Sequence, residues 1–167
     1  MLLSEELVFG GDFAAWTADN PDSWTVVGES GNDPEISEAA TGESHTDTPT
    51  LGGGMCNMYT SDGTSIAIRQ TITTVVGRRY RASIAIDTRV AGELIFADLL
   101  TEALFMIAAS AAGIYTTTFV ANSTSLQINI KRSSGVTDIT FDDVSIREDI
   151  PTELSRTGHH FSSFSEN

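Results

Sequence analysis

The acidic residues near the end of the chain are the first candidates for chemistry. Asp142 stands in the segment 139–146, where it alternates with Val144 and Ile146. Successive side chains of a strand point to opposite faces, so Asp142 faces inward if Val144 and Ile146 face the core. An inward carboxylate must be paired, hydrogen-bonded or bound to a metal ion. The alternation predicts one of these three arrangements and leaves all of them open.

The residue types that carry acid–base or nucleophilic catalysis occur without a supporting arrangement. The three histidines are His45 and the adjacent pair His159 and His160. Adjacent side chains diverge, so this pair makes a poor metal site by itself. The acidic pairs, such as Asp142-Asp143, are neighbours in sequence, which places them on opposite faces of a strand rather than across a scissile bond. We therefore expect a protein without enzymatic activity.

Aromatic and amide side chains offer a second chemistry, the binding of sugars. Such a site combines an aromatic face with a few polar side chains that fix the orientation of the ligand. The aromatic candidates are Trp24, Tyr59 and Tyr115. Gln127 and Asn129 are the polar candidates, because they share the polar face of one alternating segment. The competing interpretations are a core position for Trp24 and a solvated face for Gln127 and Asn129.

Period-two alternation of apolar residues dominates the chain and predicts strands with one buried face. It is clearest in the segment 126–131, where Leu126, Ile128 and Ile130 alternate with polar residues. The other strongly alternating segments are 65–72, 80–87 and 113–121. Gly and Asn/Ser turns separate these segments at nearly even spacing, which indicates an all-β, antiparallel sandwich.

Bulk composition excludes several classes of partner. The 167 residues suit one domain with a substantial core. One Lys and eight Arg face 23 acidic residues, for a formal net charge of −14. A surface this acidic repels phosphate backbones and anionic lipids, so we expect neither a nucleic-acid nor a membrane partner. The only cysteine, Cys56, cannot form an internal disulfide, and residues 1–6 lack the features of a signal peptide.

The two ends of the chain carry a matching pair of motifs. Gly10-Gly11-Asp12-Phe13 is followed by Trp16 near the start, and Phe141-Asp142-Asp143-Val144-Ser145 stands near the end. They resemble the opening and closing strands of carbohydrate-binding-module-like jelly rolls, the galactose-binding-like β-sandwiches. The resemblance implies an antiparallel jelly-roll β-sandwich over residues 1–148. It also favours two strands, Glu93–Asp98 and Leu104–Ala109, in a stretch whose composition would suit a helix.

The resemblance implies a metal site and a ligand surface as well. Many sandwiches of this class hold a structural calcium ion between the N-terminal turn and the last strand, and hard oxygen ligands suit that ion. On this basis Asp142 is the first candidate ligand and Asp12 the second. The alternative is that Asp142 accepts backbone hydrogen bonds and no metal is bound. Loops and the concave sheet face carry the ligand site in related modules, which directs attention to the long loop region 28–54.

The last residues have a composition of their own. Residues 149–167 are predicted to form a C-terminal extension beyond the sandwich that acts as an assembly tail. Its partner-binding candidates are His159, His160, Phe161 and Phe164. We therefore expect a homo-oligomer that contacts capsid or tail proteins.

Two functions follow from these expectations. The first is a non-catalytic structural or accessory protein of a phage virion, such as a capsid decoration protein, a head fibre or a tail-associated module. Such a protein is made in the host cytoplasm, lies on the virion surface and can bind host surface glycans. The alternative is a stand-alone carbohydrate-binding module of a polysaccharide-degrading system. Modules of that kind normally lie beside a catalytic domain in a secreted enzyme. Because this sequence shows neither a catalytic domain nor an export signal, we favour the virion protein.

Overall fold

All regular structure in the described part of the chain is β-strand. The computed structural model describes residues 2–18, 20–29, 35–44 and 52–150. Within these ranges no helix is long and apolar enough to cross a membrane. The strands are β1 (Leu2–Leu3), β2 (Trp16–Thr17), β3 (Asn20–Pro21), β4 (Thr25–Val27), β5 (Ile36–Ala39), β6 (Met55–Thr60), β7 (Ala67–Thr73), β8 (Arg79–Ala91), β9 (Leu94–Asp98), β10 (Met106–Ala109), β11 (Gly113–Val120), β12 (Ser125–Arg132) and β13 (Thr137–Ile150).

The strands form two main antiparallel sheets, which confirms the predicted β-sandwich. The first, here called the β13 sheet, has the order β11-β8-β13-β6-β5, and β1 also pairs with β13. The second, the β12 sheet, has the order β10-β9-β12-β7-β4. The short strands β2 and β3 form a separate hairpin. Because Leu3 aligns with Asp149, the two ends of the sandwich lie side by side.

The core lies between the two sheets, on the faces that the alternation predicted. Ala82, Ile84 and Ile86 of β8 are buried, as are Ile128 and Ile130 of β12. The predicted strands within residues 93–112 are confirmed as β9 and β10. We call the face of each sheet that points away from this core its outer face.

Aromatic side chains of the N-terminal motif pack into the core. The Phe13 ring stacks on Trp24, with centroids 5.7 Å apart, and meets Phe141 edge-on at 5.4 Å. Trp24 Nε1 donates to the carbonyl of Gly10 at 2.9 Å, and Trp16 Nε1 donates to the carbonyl of Phe13 at 2.7 Å. Both indole N–H groups are satisfied, as buried tryptophans require. The N-terminal motif therefore anchors the first segment to the core.

Two boundaries differ from the sequence prediction. The region 28–54, predicted as a long loop, contains β5, which is buried and pairs with β6. The sandwich also continues past residue 148, because β13 runs to Ile150. Asp149 is a buried carboxylate that lies 3.1 Å from Arg79 Nε and 3.6 Å from Arg81 Nη2. Residues 151–167 of the predicted extension lie outside the described residues.

Candidate functional site

A cleft of about 510 Å³ lies on the outer face of the β13 sheet, beside the N-terminal segment. Ser83 and Ala85 of β8 and Ser145 of β13 alternate with buried residues, so their side chains point into the cleft. Asp12, Asp143, Arg147 and Ile114 also line the cleft. Four segments that are distant in sequence, the N-terminal segment, β8, β11 and β13, therefore build one polar cleft with apolar patches.

Gly11 is the residue that lets the N-terminal segment approach the sheet. The N–H of Val144 donates to the carbonyl of Gly11 at 2.9 Å. A Cβ atom on Gly11 would lie 2.0 Å from the carbonyl oxygen of Val144 and 3.2 Å from a methyl group of Val8. No residue with a side chain fits at this distance, which explains the glycine of the N-terminal motif.

Glu6 ties the same segment to β13. Its carboxylate accepts hydrogen bonds from Ser145 Oγ at 2.5 Å, Ile146 N at 2.8 Å and Arg147 Nε at 2.9 Å. Burial raises the pKa of this carboxyl, but the hydrogen bonds from Ser145 and Arg147 outweigh burial and hold it below its ordinary value. Since Glu6 already accepts these bonds, its role in the cleft is structural.

Other polar side chains of the cleft are open to a ligand. Among the described residues, no side-chain hydrogen bond involves Asp12, Ser83 or Asp143. Asp12 and Asp143 are exposed, and Ser83 is half-buried on the floor. These carboxylates and this hydroxyl can form new hydrogen bonds without breaking existing ones.

A bulge in β13 decides where Asp142 points. The register between β13 and β8 shifts between Asp142 and Ser145, and Asp143 has a positive φ of 50°. Phe141 and Val144 are therefore both buried, although three positions separate them. Asp142 aligns with Ala85 on the outer face, so its predicted inward orientation is wrong. The extra residue of the bulge moves Asp142 to the other side of the sheet.

Asp142 nevertheless has an unusual environment. Its Oδ1 atom is buried and accepts no hydrogen bond within the described part of the chain. Burial raises the pKa of this carboxyl to about 6, the backbone N–H of Asp143 opposes the shift, and the charges of Asp143, Asp12 and Asp87 add to it. An unpaired carboxylate oxygen near further carboxylates is a donor that a hard cation can use.

The donor set does not amount to a complete calcium shell. In residues 2–18, 20–29, 35–44 and 52–150, no group of three or more His, Cys, Asp or Glu side chains could hold a metal ion. Calcium takes six to eight oxygen ligands. Asp142, with Asp12 as its neighbour, would have to be completed by backbone carbonyls and water. The calcium site thus stays a prediction that rests on the unpaired oxygen of Asp142.

A second polar cluster lies on the same outer face. Asn57 Nδ2 donates to Asp138 Oδ1 and to Thr140 Oγ1, both at 3.0 Å. Thr140 Oγ1 donates to the carbonyl of Glu43 at 2.7 Å. The segment after β5 therefore covers this cluster, and Asn57 is fully buried with an exposed fraction of 0%. Tyr59 aligns with Asp138 on this face and is half-buried, so it is the aromatic candidate that shares the sheet face of the cleft.

The remaining predicted ligand residues lie elsewhere. Trp24 is only 8% exposed and belongs to the core, so it offers no stacking face. Tyr115 lies on the inner side of β11, and its hydroxyl is bonded to the backbone four residues earlier. Gln127 and Asn129 lie on the outer face of the β12 sheet, where buried Asn129 accepts a hydrogen bond from Arg69 Nε at 3.0 Å. The fold therefore does not bring these four residues together with Tyr59 at one site, and Trp24 is in the core. Ligand binding by the others stays a prediction.

The partner-binding candidates cannot be placed in the same way. His159, His160, Phe161 and Phe164 lie outside the described residues. Their predicted role in assembly stays a prediction.

Sequence reasoning missed most of the cleft. Ser83 and Ser145 are outward positions in strands that were recognised by their buried residues. Glu6 and Arg147 are in contact although they lie near opposite ends of the sequence. The polar half of the alternation in the segment 80–87 was the available signal. It gave no indication of which segment covers that face.

Comparison with known proteins places the fold. No family model and no curated protein matches the chain. Among solved structures, it is similar to the enzymatically active domain of tailspike protein 4 of bacteriophage CBA120, with a TM-score of 0.58, 15% identity and 86% of this chain covered. It is also similar to a CBM4 module, with a TM-score of 0.53, 19% identity and 84% of this chain and 99% of that one covered. The chain has the jelly-roll fold of carbohydrate-binding modules.

A third solved structure agrees with this fold. The module TmCBM61, solved in complex with β-1,4-galactotriose, has a TM-score of 0.53 and 12% identity, and the match covers 87% of this chain and 100% of that one. The two carbohydrate-binding modules thus match over nearly their whole length. In contrast, the chain spans 21% of the length of the tailspike structure. The resemblance noted from the two end motifs is confirmed at the level of fold.

Proposed function

We propose that this protein is a non-catalytic glycan-binding sandwich whose ligand occupies the cleft between the N-terminal segment and strands β8 and β13. The observation that carries the proposal is the cleft itself, in which unpaired polar side chains stand beside apolar surface. Ligand sites generally combine apolar walls with a few polar groups that fix the orientation of the ligand. The fold adds support, because two of the similar structures are carbohydrate-binding modules.

The residues of the cleft can contact both the hydroxyl groups and the apolar C–H surface of a sugar ring. The carboxylates of Asp12 and Asp143 would accept hydrogen bonds from sugar hydroxyls, and the Ser83 hydroxyl can donate or accept. Ala85 and Ile114 would contact the apolar C–H surface of the ring. A cleft of about 510 Å³ lies in the range of small-molecule sites.

The charge of the cleft indicates which glycans it takes. Glu6, Asp12 and Asp143 are acidic, and Arg147, the one basic residue that the described part of the chain adds to the lining, is already paired with Glu6. An added carboxylate or sulfate would meet net negative charge there. We therefore propose that the ligand is a neutral oligosaccharide.

A calorimetric titration with neutral and acidic oligosaccharides tests the proposal. The blocking variant is Ala85→Trp, which fills the floor of the cleft without removing a polar group. The matched control is Ala108→Trp, at an exposed alanine of the β12 sheet. We expect neutral oligosaccharides to bind the wild type and the control, and affinity to fall at least about tenfold in the blocking variant, equal to about 1.4 kcal/mol. Equal affinity in all three proteins would refute the cleft as the site.

We further propose that the glycan-binding sandwich works as a virion structural or accessory module, such as a capsid decoration protein, head fibre or tail-associated module on the virion surface. The support is the similarity to the phage tailspike structure, of which this chain spans about a fifth. The test is mass spectrometry of virions purified from the phage that encodes the chain. Its presence in stoichiometric amounts is expected. Its absence from particles, with glycan binding intact, would favour a stand-alone carbohydrate-binding module.

A further inference from the structure

Strand β11 is an unprotected edge of the β13 sheet. It spans Gly113–Val120 and pairs with β8 along one side, whereas no strand among the described residues pairs with its other side. Edge strands are normally protected by charged side chains or proline, because their free N–H and C=O groups invite another strand. This eight-residue strand has neither, although the chain contains 23 acidic residues.

The sequence of β11 is symmetric in chemical type about Thr117. An antiparallel pairing of this strand with a second copy, centred on Thr117, would align β-branched with β-branched and aromatic with aromatic residues. The aligned pairs would be Ile114 with Val120, Tyr115 with Phe119, and Thr116 with Thr118. Cross-strand pairs of these types stabilise sheets. We propose that a second copy of this chain pairs with β11 in this register, so that two β13 sheets form one continuous sheet.

The backbone of β11 has its free groups at the positions that this register needs. The N–H of Ala121 donates to the carbonyl of Arg78 at 2.9 Å, in line with the pairing of β11 and β8. The direction of backbone N–H and C=O groups alternates along a strand. The N–H and C=O groups of odd-numbered residues of β11 therefore point to β8, and those of even-numbered residues point to the free edge. The even-numbered residues are Ile114, Thr116, Thr118 and Val120. In the proposed register they align only with each other, so both strands offer complementary donors and acceptors.

The surroundings of the edge permit two copies of an acidic protein to approach. Ile114 is 80% exposed and Val120 is 54% exposed, so pairing them would bury apolar surface. The neighbouring outward residues of β8 are basic, because Arg81 aligns with Thr118 and Arg79 aligns with Val120. These arginines, which also pair with Asp149, place basic side chains beside the edge and so lessen the repulsion expected from a net charge of −14. A twofold axis perpendicular to the sheet would also place both clefts on one surface, since Ile114 lines the cleft.

Light scattering over a concentration series tests the pairing with the full-length chain. We expect the wild type to approach twice the 17.8 kDa mass of one chain. Thr116→Lys with Thr118→Lys would oppose like charges across the axis and is expected to give monomers. Thr116→Lys with Thr118→Glu would oppose unlike charges and should keep the dimer. The control Thr71→Lys with Thr73→Lys makes the same charge change at exposed positions of β7 and should also keep it.

Cysteine cross-linking tests the register directly. In the proposed pairing, Thr117 faces its own copy at a Cα–Cα distance of about 4.5 Å, within the range of a disulfide. Thr116 would lie about 8 Å from its own copy, which is too far. Oxidation is therefore expected to produce a cross-linked dimer for Thr117→Cys and none for Thr116→Cys, while native Cys56 is buried and does not react.

The outcomes separate this proposal from the others. A monomeric wild type, or a dimer that survives Thr116→Lys with Thr118→Lys, would overturn it. A dimer lost in Phe161→Ala with Phe164→Ala but kept in that double Lys variant would assign assembly to the C-terminal residues instead. None of these measurements uses a sugar, so the dimer can fail while glycan binding stands, and the reverse.

Discussion

Asp142 is expected to lower the stability of the metal-free protein at neutral pH. The pKa of its carboxyl rises from 3.8 to about 6 in the folded state. Because this pKa is raised, the folded state binds the proton more tightly than the unfolded state does. The stability contributed by the protonated group is full below about pH 3.8 and is lost as the pH rises through about 6.

The shift sets the size of the effect. At about 1.4 kcal/mol per pKa unit, it corresponds to at most about 3 kcal/mol. Solvent screening of a group that is only partly buried reduces this to about 1–2 kcal/mol. In chelator at pH 8, Asp142→Asn is therefore expected to raise the free energy of unfolding by about 1–2 kcal/mol, or Tm by roughly 2–8 °C. At pH 3.5 the gain should disappear.

If Asp142 is a calcium ligand, calcium is expected to make the wild type more stable than Asp142→Asn. A cation that binds only the folded state would raise the Tm of the wild type by mass action and leave Asp142→Asn unchanged. The assay is thermal unfolding of both proteins at pH 3.5 and 8, in chelator and in calcium. Asp143→Asn, which removes one of the charges that raise this pKa, should give a smaller gain than Asp142→Asn in chelator at pH 8. If Asp142→Asn is no more stable than the wild type in chelator at pH 8, the destabilising role of the Asp142 carboxylate is refuted. If calcium does not change the Tm of the wild type, the calcium site is refuted.

Three further variants test how the N-terminal segment is held. Gly11→Ala would place a Cβ atom 2.0 Å from the Val144 carbonyl oxygen, so urea unfolding should show a loss of about 1–3 kcal/mol. The control Gly77→Ala has open space but carries the backbone strain of a φ of 83°, so a smaller loss at Gly11 than at Gly77 would contradict the steric explanation. Trp24→Ala should cost about 3–5 kcal/mol as a core truncation, whereas loss of glycan binding in a fully stable variant would contradict its core role. Glu6→Gln should lower the free energy of unfolding by about 1–3 kcal/mol at pH 7. Because the pKa of Glu6 is lowered in the folded state, this loss should vanish as the pH falls through that pKa. A loss that does not depend on pH would contradict the role of the Glu6 charge.

The sequence predicted the strands well where the core imposes a pattern. The segments that became β7, β8 and β12 alternate because one face of each is buried, and that pattern survives in a single sequence. Strand β5 was missed because its residues, Ile-Ser-Glu-Ala, have one large apolar side chain and stand in a polar region. All four residues are buried, so this strand carries no alternation of buried and exposed positions.

The candidate site was harder to predict, for two physical reasons. A strict period of two placed Asp142 on the core side, whereas the bulge at Asp143 adds one residue and reverses its side. The cleft also depends on contacts between distant segments, such as Glu6 with Arg147. The end motifs indicated the fold because the turn at Gly11 and the bulged last strand are joined by a hydrogen bond. They carried no information on which polar side chains remain unpaired.

The most direct test of glycan binding at the cleft is backbone amide chemical-shift mapping during titration with a neutral oligosaccharide. The predicted result is a set of saturable shifts at Ser83, Ala85 and Ser145 and along residues 10–12, with Gln127 and Asn129 on the other sheet unchanged. Shifts confined to the outer face of the β12 sheet, or no saturable shift with any oligosaccharide of the panel, would contradict the account.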